Sequence, residues 1–352
     1  MTTKAQKKKP LAKHRRMRRS ASLQSERRPS RTSFGGPRSV AAVFDGSLVR
    51  GSKARSKSIL ITGCGGMLGS AMYPHFVEAG YKVRATDINT ADKWISYLDV
   101  REPDDVRREI LEGGYDFVFH LAAETSLEVC EDDPAHAYKT NTFATMNIAR
   151  ACREAGIPMV FISTAGVFNG RKESFYNEYD SPDPIMVYGN TKAKAEVAIR
   201  EIWDRHYIIR AGWMVGGVQK DKKFVGKIVE QIKGGTKEVF AVGDKFGTPT
   251  YVSYFARNLE QLIQTDKYDT YHMVCEGHGS RYDVAREILK ILGKEKKIKL
   301  TKVDSKFFQD KYPAPRPRSE MLENMNLNFI GLNLMGSWQE ALAEYLRKFE
   351  GL

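Results

Sequence analysis

The chain has 352 residues, 41% hydrophobic and 28% charged, with a formal net charge of +13. That size allows a core burying roughly 75% of the unfolded chain's surface, and the apolar content excludes wholesale disorder. No apolar run approaches the ~18–20 residues of a membrane span, so no membrane partner is expected. Four cysteines (Cys64, Cys130, Cys152, Cys275) are widely spaced with no CxxC pair. They suggest neither a zinc site nor a disulfide framework, and a reducing, cytoplasmic setting is the default.

The charge is unevenly placed. Residues 1–57 hold 17 of the 56 Lys+Arg and only two acids, Glu26 and Asp45, a balance of +15 that leaves −2 for the rest. With so few apolar residues this tail reads as disordered. An Arg- and Ser-rich, acid-poor leader resembles an organellar transit peptide. Basic arms also bind phosphates, but without interleaved aromatic residues to stack on bases a nucleic-acid partner is not expected. A dispensable solvated extension is the third reading.

From Ser58 onward strands alternate with helices. Ser58–Thr62 is a short apolar, β-rich run, followed by glycines and a helix over about 68–79. Lys82–Thr86 is the next strand, and 104–111 a helix with Asp104 and Asp105 suited to its first turn. Asp116–Leu121 is a third buried run. A long helix over 134–155 precedes Met159–Ser163, and another over 187–205 precedes Tyr207–Arg210. This order predicts an α/β fold, a doubly wound parallel sheet covered on both faces. Residues 58–215 form its dinucleotide-binding domain. Past about Gly212 the alternation loosens, so 216–352 is expected to build mainly a smaller substrate-binding lobe, interleaved with the first domain.

The turn Gly63-Cys64-Gly65-Gly66-Met67-Leu68-Gly69 joins the first strand to the first helix. Its glycines at 63, 66 and 69 suit a tight turn, a backbone approach free of Cβ, and close helix packing. Such a turn sets a pyrophosphate on the helix N-terminus, where free N–H groups and the dipole attract it. Asp87, after the second strand, is placed for the adenosine ribose hydroxyls and would repel a 2′-phosphate. NAD(H) is therefore favoured, with NADP(H) as the alternative. Asp99 and Val100 are placed to meet the adenine.

Tyr188 and Lys192 stand at i,i+4, on one face of a helix. A neighbouring ammonium is expected to favour the phenolate and bring the tyrosine toward its working range. Tyr188 then protonates a carbonyl oxygen while a hydride reaches its carbon. A hydroxyl at Ser163-Thr164, ending the preceding strand, is the expected third member.

These segments together resemble the extended short-chain dehydrogenase/reductases. Ser163-Thr164-Ala165-Gly166-Val167-Phe168-Asn169-Gly170, Tyr188 to Lys192, Ile209 to Trp213, Gly243 to Tyr251, Arg316 to Ser319 and Trp338 to Leu342 narrow the resemblance to the dTDP-4-dehydrorhamnose reductase family. The resemblance covers essentially all of 58–352. It implies a reductase of a nucleotide-linked 4-keto-6-deoxysugar, with Thr164, Tyr188 and Lys192 catalytic. Leu121, Ala122 and Ala123 would lie beside the nicotinamide, Tyr188 and Lys192 would also contact the cofactor, and Thr164 and Trp213 would meet the substrate. A homodimer is the expected assembly.

Ala165-Gly166 departs from the Asp-Tyr that many members carry, which leaves the sugar open. It also lacks the Asp-Glu pair with which related dehydratases eliminate water. An epimerase retaining its NAD, and a non-catalytic subunit like the regulatory β subunit of methionine adenosyltransferase, are the alternatives. Among other ionisable or polar residues, His120 reads as a packed strand histidine and Asn141 as either packing or support for the site. Lys220 to Lys223 offers positive charge to a diphosphate. No cluster has metal-ligand spacing.

Overall fold

The computed structural model describes residues 56–349. The expectation of a disordered tail falls outside them. Strands β1 (Ser58–Thr62), β2 (Lys82–Asp87), β3 (Ser96–Tyr97), β4 (Phe117–His120), β5 (Met159–Thr164) and β6 (His206–Ala211) alternate with helices. These are α1 (Gly69–Glu78), α2 (Pro103–Glu112), the short α3 (Leu127–Asp132) and α4 (Pro134–Tyr138), α5 (Ala144–Ala155) and α6 (Val187–Ile202).

Later elements are β7 (Trp213–Val215), α7 (Phe224–Lys233), β8 (Glu238–Val242), β9 (Phe246–Gly247), β10 (Pro249–Tyr251), α8 (Val252–Leu262) and β11 (Asp269–His272). After these come β12 (Gly279–Ser280), α9 (Arg281–Ile291), β13 (Lys299–Val303), β14 (Ser319–Glu320), α10 (Met325–Phe329) and α11 (Trp338–Leu346).

Seven strands make one parallel sheet in the order β11-β6-β5-β4-β1-β2-β3. Successive strand residues point to opposite faces, and here both faces are covered. Ile59, Ile61, Phe117, Phe119, Val160 and Ile209 pack with Met72 and Phe76 of α1 and with α8. Leu60, Val118, Met159, Phe161 and Ile208 pack instead with α2, α5 and α6. Burial on both faces is why these strands read as continuous apolar runs rather than alternating ones.

Local chemistry sets several boundaries. Pro103 opens α2 with Asp104 and Asp105 in its first turn. Gly156, at φ +69, closes α5 in the left-handed conformation that suits glycine. The long helix expected over 134–155 is interrupted: residues 139–143 form a π-helical turn between α4 and α5. Beyond β6 the chain adds small two- and three-stranded sheets, then returns β11 to the edge of the main sheet, beside β6. Among the described residues no helix is long and apolar enough to cross a membrane.

Candidate active site

The two loops marked for the cofactor meet where the strand order reverses. β1 lies between β2 and β4, and the crevice beyond the carboxyl ends of such strands is where nucleotides bind in open α/β sheets. Gly63 leaves β1 at φ +72, and a Cβ there would stand 2.4 Å from the Ala122 amide nitrogen. The Leu121 N–H donates to the Thr62 carbonyl at 3.1 Å, so Leu121, Ala122 and Ala123 run against the glycine turn. Gly69 lets α1 pack down on the turn, since a Cβ would lie 2.3 Å from the Cys64 carbonyl oxygen.

Gly66 is different. It is exposed, and a Cβ there would meet only the Gly63 carbonyl, at 3.4 Å. The fold itself therefore makes little demand for glycine at 66, whereas a ligand laid on the turn would make one. Met67 is half-buried, with its carbonyl accepting the Ser70 hydroxyl at 2.7 Å, and Leu68 is buried just ahead of α1. Asp87 Oδ2 accepts the Gly65 N–H at 3.0 Å, and Oδ1 the Asn89 N–H at 2.8 Å, so the carboxylate is fixed beside the turn. These residues fit a dinucleotide.

Asp99 and Val100 are occupied within the fold. Arg101 grips the Asp99 carboxylate, Nη2 to Oδ2 at 2.6 Å, and holds it below the usual carboxylate range. Val100 packs among Leu60, Val106 and Ile110.

The second half of the site is the start of α6. Gly189 seats this helix on the turn after β5, where a Cβ would lie 2.1 Å from the Gly166 carbonyl oxygen. The Tyr188 phenol faces Thr164, whose Oγ1 accepts the Gly166 N–H at 3.1 Å. Lys192 is buried, its ammonium 4.0 Å from the centre of the Phe161 ring.

The electrostatics correct one expectation. Desolvation pushes the Tyr188 phenol up, and Cys130, Glu320 and Glu124 reinforce it, with the Thr164 hydrogen bond opposing. Burial also drives the Lys192 ammonium down to about 7, opposed by Glu196. In the free protein burial thus favours the protonated phenol over the phenolate.

Supporting residues surround this pair. His120 is buried between the Thr62 hydroxyl at 2.8 Å and the Thr145 hydroxyl at 3.0 Å. Burial lowers it to about 3, so it is a neutral, packed strand histidine. Asn141 lies in the π-helical turn, a distortion frequent at functional sites. Its Oδ1 accepts the Glu124 N–H at 2.8 Å, and its Nδ2 reaches the Glu124 carbonyl at 3.0 Å and the Thr191 hydroxyl at 3.1 Å. It therefore ties the loop after β4 to the helix of Tyr188 and Lys192.

Trp213 is held from two sides. Its indole N–H donates to Glu320 Oε2 at 2.7 Å, and the Arg281 guanidinium lies 3.7 Å from the ring. Of the basic run, Lys220 pairs with Asp92 at 3.0 Å, and Lys223 reaches the Thr125 hydroxyl at 3.4 Å. Glu124, Arg281 and Glu320 are residues that the sequence did not single out. All four cysteines are buried and unbridged.

A doubly wound parallel sheet, a glycine turn at its switch point and a Tyr–Lys helix beside it define a dinucleotide-dependent oxidoreductase of the short-chain dehydrogenase/reductase class. Residues 57–350 match the family described as the RmlD substrate binding domain, and the chain belongs to it. It is 30% identical over 298 residues to the dTDP-4-dehydrorhamnose reductase of Mycobacterium tuberculosis, covering 83% of this chain and 93% of that protein.

Two solved structures are similar across nearly their whole length. The dTDP-4-dehydrorhamnose reductase of Yersinia enterocolitica is 34% identical with a TM-score of 0.75, covering 83% of this chain and 99% of that one. That of Bacillus anthracis, in complex with NADP, is 27% identical with a TM-score of 0.76, covering 84% and 100%.

Proposed function

We propose that the protein is an NAD(P)H-dependent reductase of a nucleotide-linked 4-keto-6-deoxysugar, of the dTDP-4-dehydrorhamnose type. Two features support this reading: Thr164 faces the Tyr188 phenol, with Lys192 one helical turn further on over the Phe161 ring, and the chain is similar to such reductases throughout 57–350. Gly63, Gly66, Met67, Leu68 and Gly69 would hold the pyrophosphate, Asp87 the adenosine ribose, and Leu121 to Ala123 the nicotinamide side. Bound there, the dinucleotide supplies the hydride.

The remaining chemistry belongs to this chain's own residues. A phenol held protonated by burial is a proton donor, and Tyr188 gives its proton to the keto oxygen as the carbonyl becomes a hydroxyl. Thr164 bonds the same oxygen and keeps the phenol aligned. The Lys192 ammonium stabilises the phenolate until solvent returns the proton. Ala165 and Gly166 carry no acid or base, so water elimination is not part of the reaction. Trp213, held by Glu320 and Arg281, would face the sugar nucleotide.

We further propose NADH ahead of NADPH, because an acid at the end of β2 accepts ribose hydroxyls and repels a 2′-phosphate. A homodimer acting in the cytoplasm completes the reading, with organellar import through the basic tail as the alternative. The test is oxidation of NADH and NADPH with dTDP-, UDP- and GDP-linked 4-keto sugars. Consumption of one reduced dinucleotide per dTDP-4-keto-6-deoxysugar is expected. Binding of dinucleotide without reduction of any sugar would replace the enzyme with a non-catalytic subunit.

A further inference from the structure

β5 ends in two hydroxyl residues, and they meet different turns of α6. Thr164 meets Tyr188, whereas the Ser163 hydroxyl donates to Glu196 Oε1 at 2.6 Å. The same carboxylate accepts Arg210 Nε at 2.9 Å and Nη2 at 2.7 Å, and Arg200 Nη2 at 3.1 Å. Glu196 and Arg210 are buried, at 0% and 2% exposure. Ser163 and Arg210 are register partners on β5 and β6, so one carboxylate joins two central strands to α6.

That helix also carries Tyr188 and Lys192, and Lys192 and Glu196 stand one turn apart on the same face. Phe161, under the Lys192 ammonium, and Ser163, bonded to Glu196, likewise share one face of β5.

We propose that Glu196 is a positioning residue of the reaction: it locks the Tyr188–Lys192 helix to the strand ending in Thr164, and sets a buried negative charge one turn from the Lys192 ammonium. The inference rests on the ketoreductase reading above.

The groups around this charge are few. Lys192 is faced by Glu196 on its own helix, by the Phe161 ring from β5 and by His120 from β4, which burial keeps neutral. Glu196 is faced by Arg210 and Ser163 from the strands and by Arg200 on α6. Arg210 also reaches His272 of β11 at 3.4 Å, a histidine that burial holds well below its ordinary value. Burial already favours loss of the Lys192 proton and Glu196 opposes that loss. Without the carboxylate, Arg210 and Arg200 stand unbalanced, and Lys192 gives up its proton at lower pH.

The experiment compares the cofactor-loaded wild type with Glu196→Gln, E196Q/R210Q and Ser163→Ala. Two readouts are taken: the pH profile of keto-sugar reduction, and the Lys192 amine followed by NMR of nitrogen-labelled lysine. In Glu196→Gln the alkaline limb and the amine titration should both move down by about one pH unit or more, the scale of a near charge. Activity should recover in part on the acid side. E196Q/R210Q cancels both charges and should return both readouts toward the wild type. Ser163→Ala should lower kcat about threefold to tenfold, leaving KM and the limb in place.

If Glu196→Gln does not fold, E196Q/R210Q against Arg210→Gln carries the comparison, with Arg210→Gln moving the limb upward. A uniform loss of activity at every pH, with an unmoved amine titration, would reduce Glu196 to a structural ion pair and overturn the proposal. If the wild type reduces no keto sugar but the amine titration moves as described, the ketoreductase reading has failed and the charge coupling stands.

Discussion

Gly66→Ala separates what the fold needs from what a bound dinucleotide needs. In the free protein the added methyl meets one atom, the Gly63 carbonyl oxygen, at 3.4 Å. Replacing glycine by alanine at such a permissive position stabilises by ~0.4–1 kcal/mol, because the unfolded chain loses freedom. At the usual unfolding entropy per residue a chain of this size gains only about 1–2 °C in Tm per kcal/mol, so Tm should hold or rise slightly. A pyrophosphate lying on the turn needs the space the methyl takes. Displacing it weakens one or two hydrogen bonds to a charged group, worth ~1.5–3 kcal/mol each.

At ~1.4 kcal/mol per factor of ten, dinucleotide affinity should fall roughly 10- to 100-fold. Gly63→Ala is the contrast. Its φ of +72 costs ~1–2 kcal/mol for any other residue, and its Cβ would press at 2.4 Å on the Ala122 backbone, which no rotamer change relieves. Both Tm and affinity should fall. The assays are thermal unfolding without ligand and titration of NADH by fluorescence. A Gly66→Ala protein that binds NADH as tightly as the wild type would refute the placement of the pyrophosphate on this turn.

Asp87→Ala should narrow the preference for NADH over NADPH by removing the charge facing a 2′-phosphate. A wild type that already binds NADPH more tightly in parallel titrations would show that Asp87 does not set the choice. His120 makes stability sensitive to acid. Its folded value of about 3 lies below its unfolded 6.5, so the unfolded chain binds the extra proton between them. The contribution is complete above pH 6.5 and is lost as pH falls toward 3. At ~1.4 kcal/mol per pH unit, this amounts to about 2 kcal/mol by pH 5. Chemical unfolding of wild type and His120→Phe at pH 7 and pH 5 should show a flatter pH dependence in the variant, and equal slopes would remove His120 from the account.

The sequence exposes the sheet because parallel strands buried on both faces become unbroken apolar runs, as in Ser58–Thr62 and Met159–Ser163. The glycine spacing at 63, 66 and 69 and the i,i+4 spacing of Tyr188 and Lys192 are local, so they too are legible. What is not local stays hidden. Arg281 and Glu320 reach Trp213 only because β9 pairs with both β12 and β14. The adjacent hydroxyls of Ser163 and Thr164 look interchangeable until the packing of α6 gives one to Glu196 and the other to Tyr188. The π-helical turn that presents Asn141, Lys139–Phe143, carries no glycine or proline to mark it in the sequence. The upward push on the Tyr188 phenol comes from burial beside Glu124 and Glu320, which spacing to Lys192 does not reveal.

Tyr188→Phe asks whether the phenol is the proton donor. The change removes the proton and keeps the ring, so folding and dinucleotide affinity should match the wild type. Single-turnover reduction of a dTDP-4-keto-6-deoxysugar, followed by loss of reduced nicotinamide in stopped flow, should slow ~10²–10⁴-fold, the usual worth of a general acid. Reduction by Tyr188→Phe at the wild-type rate would show that Tyr188 is not the acid.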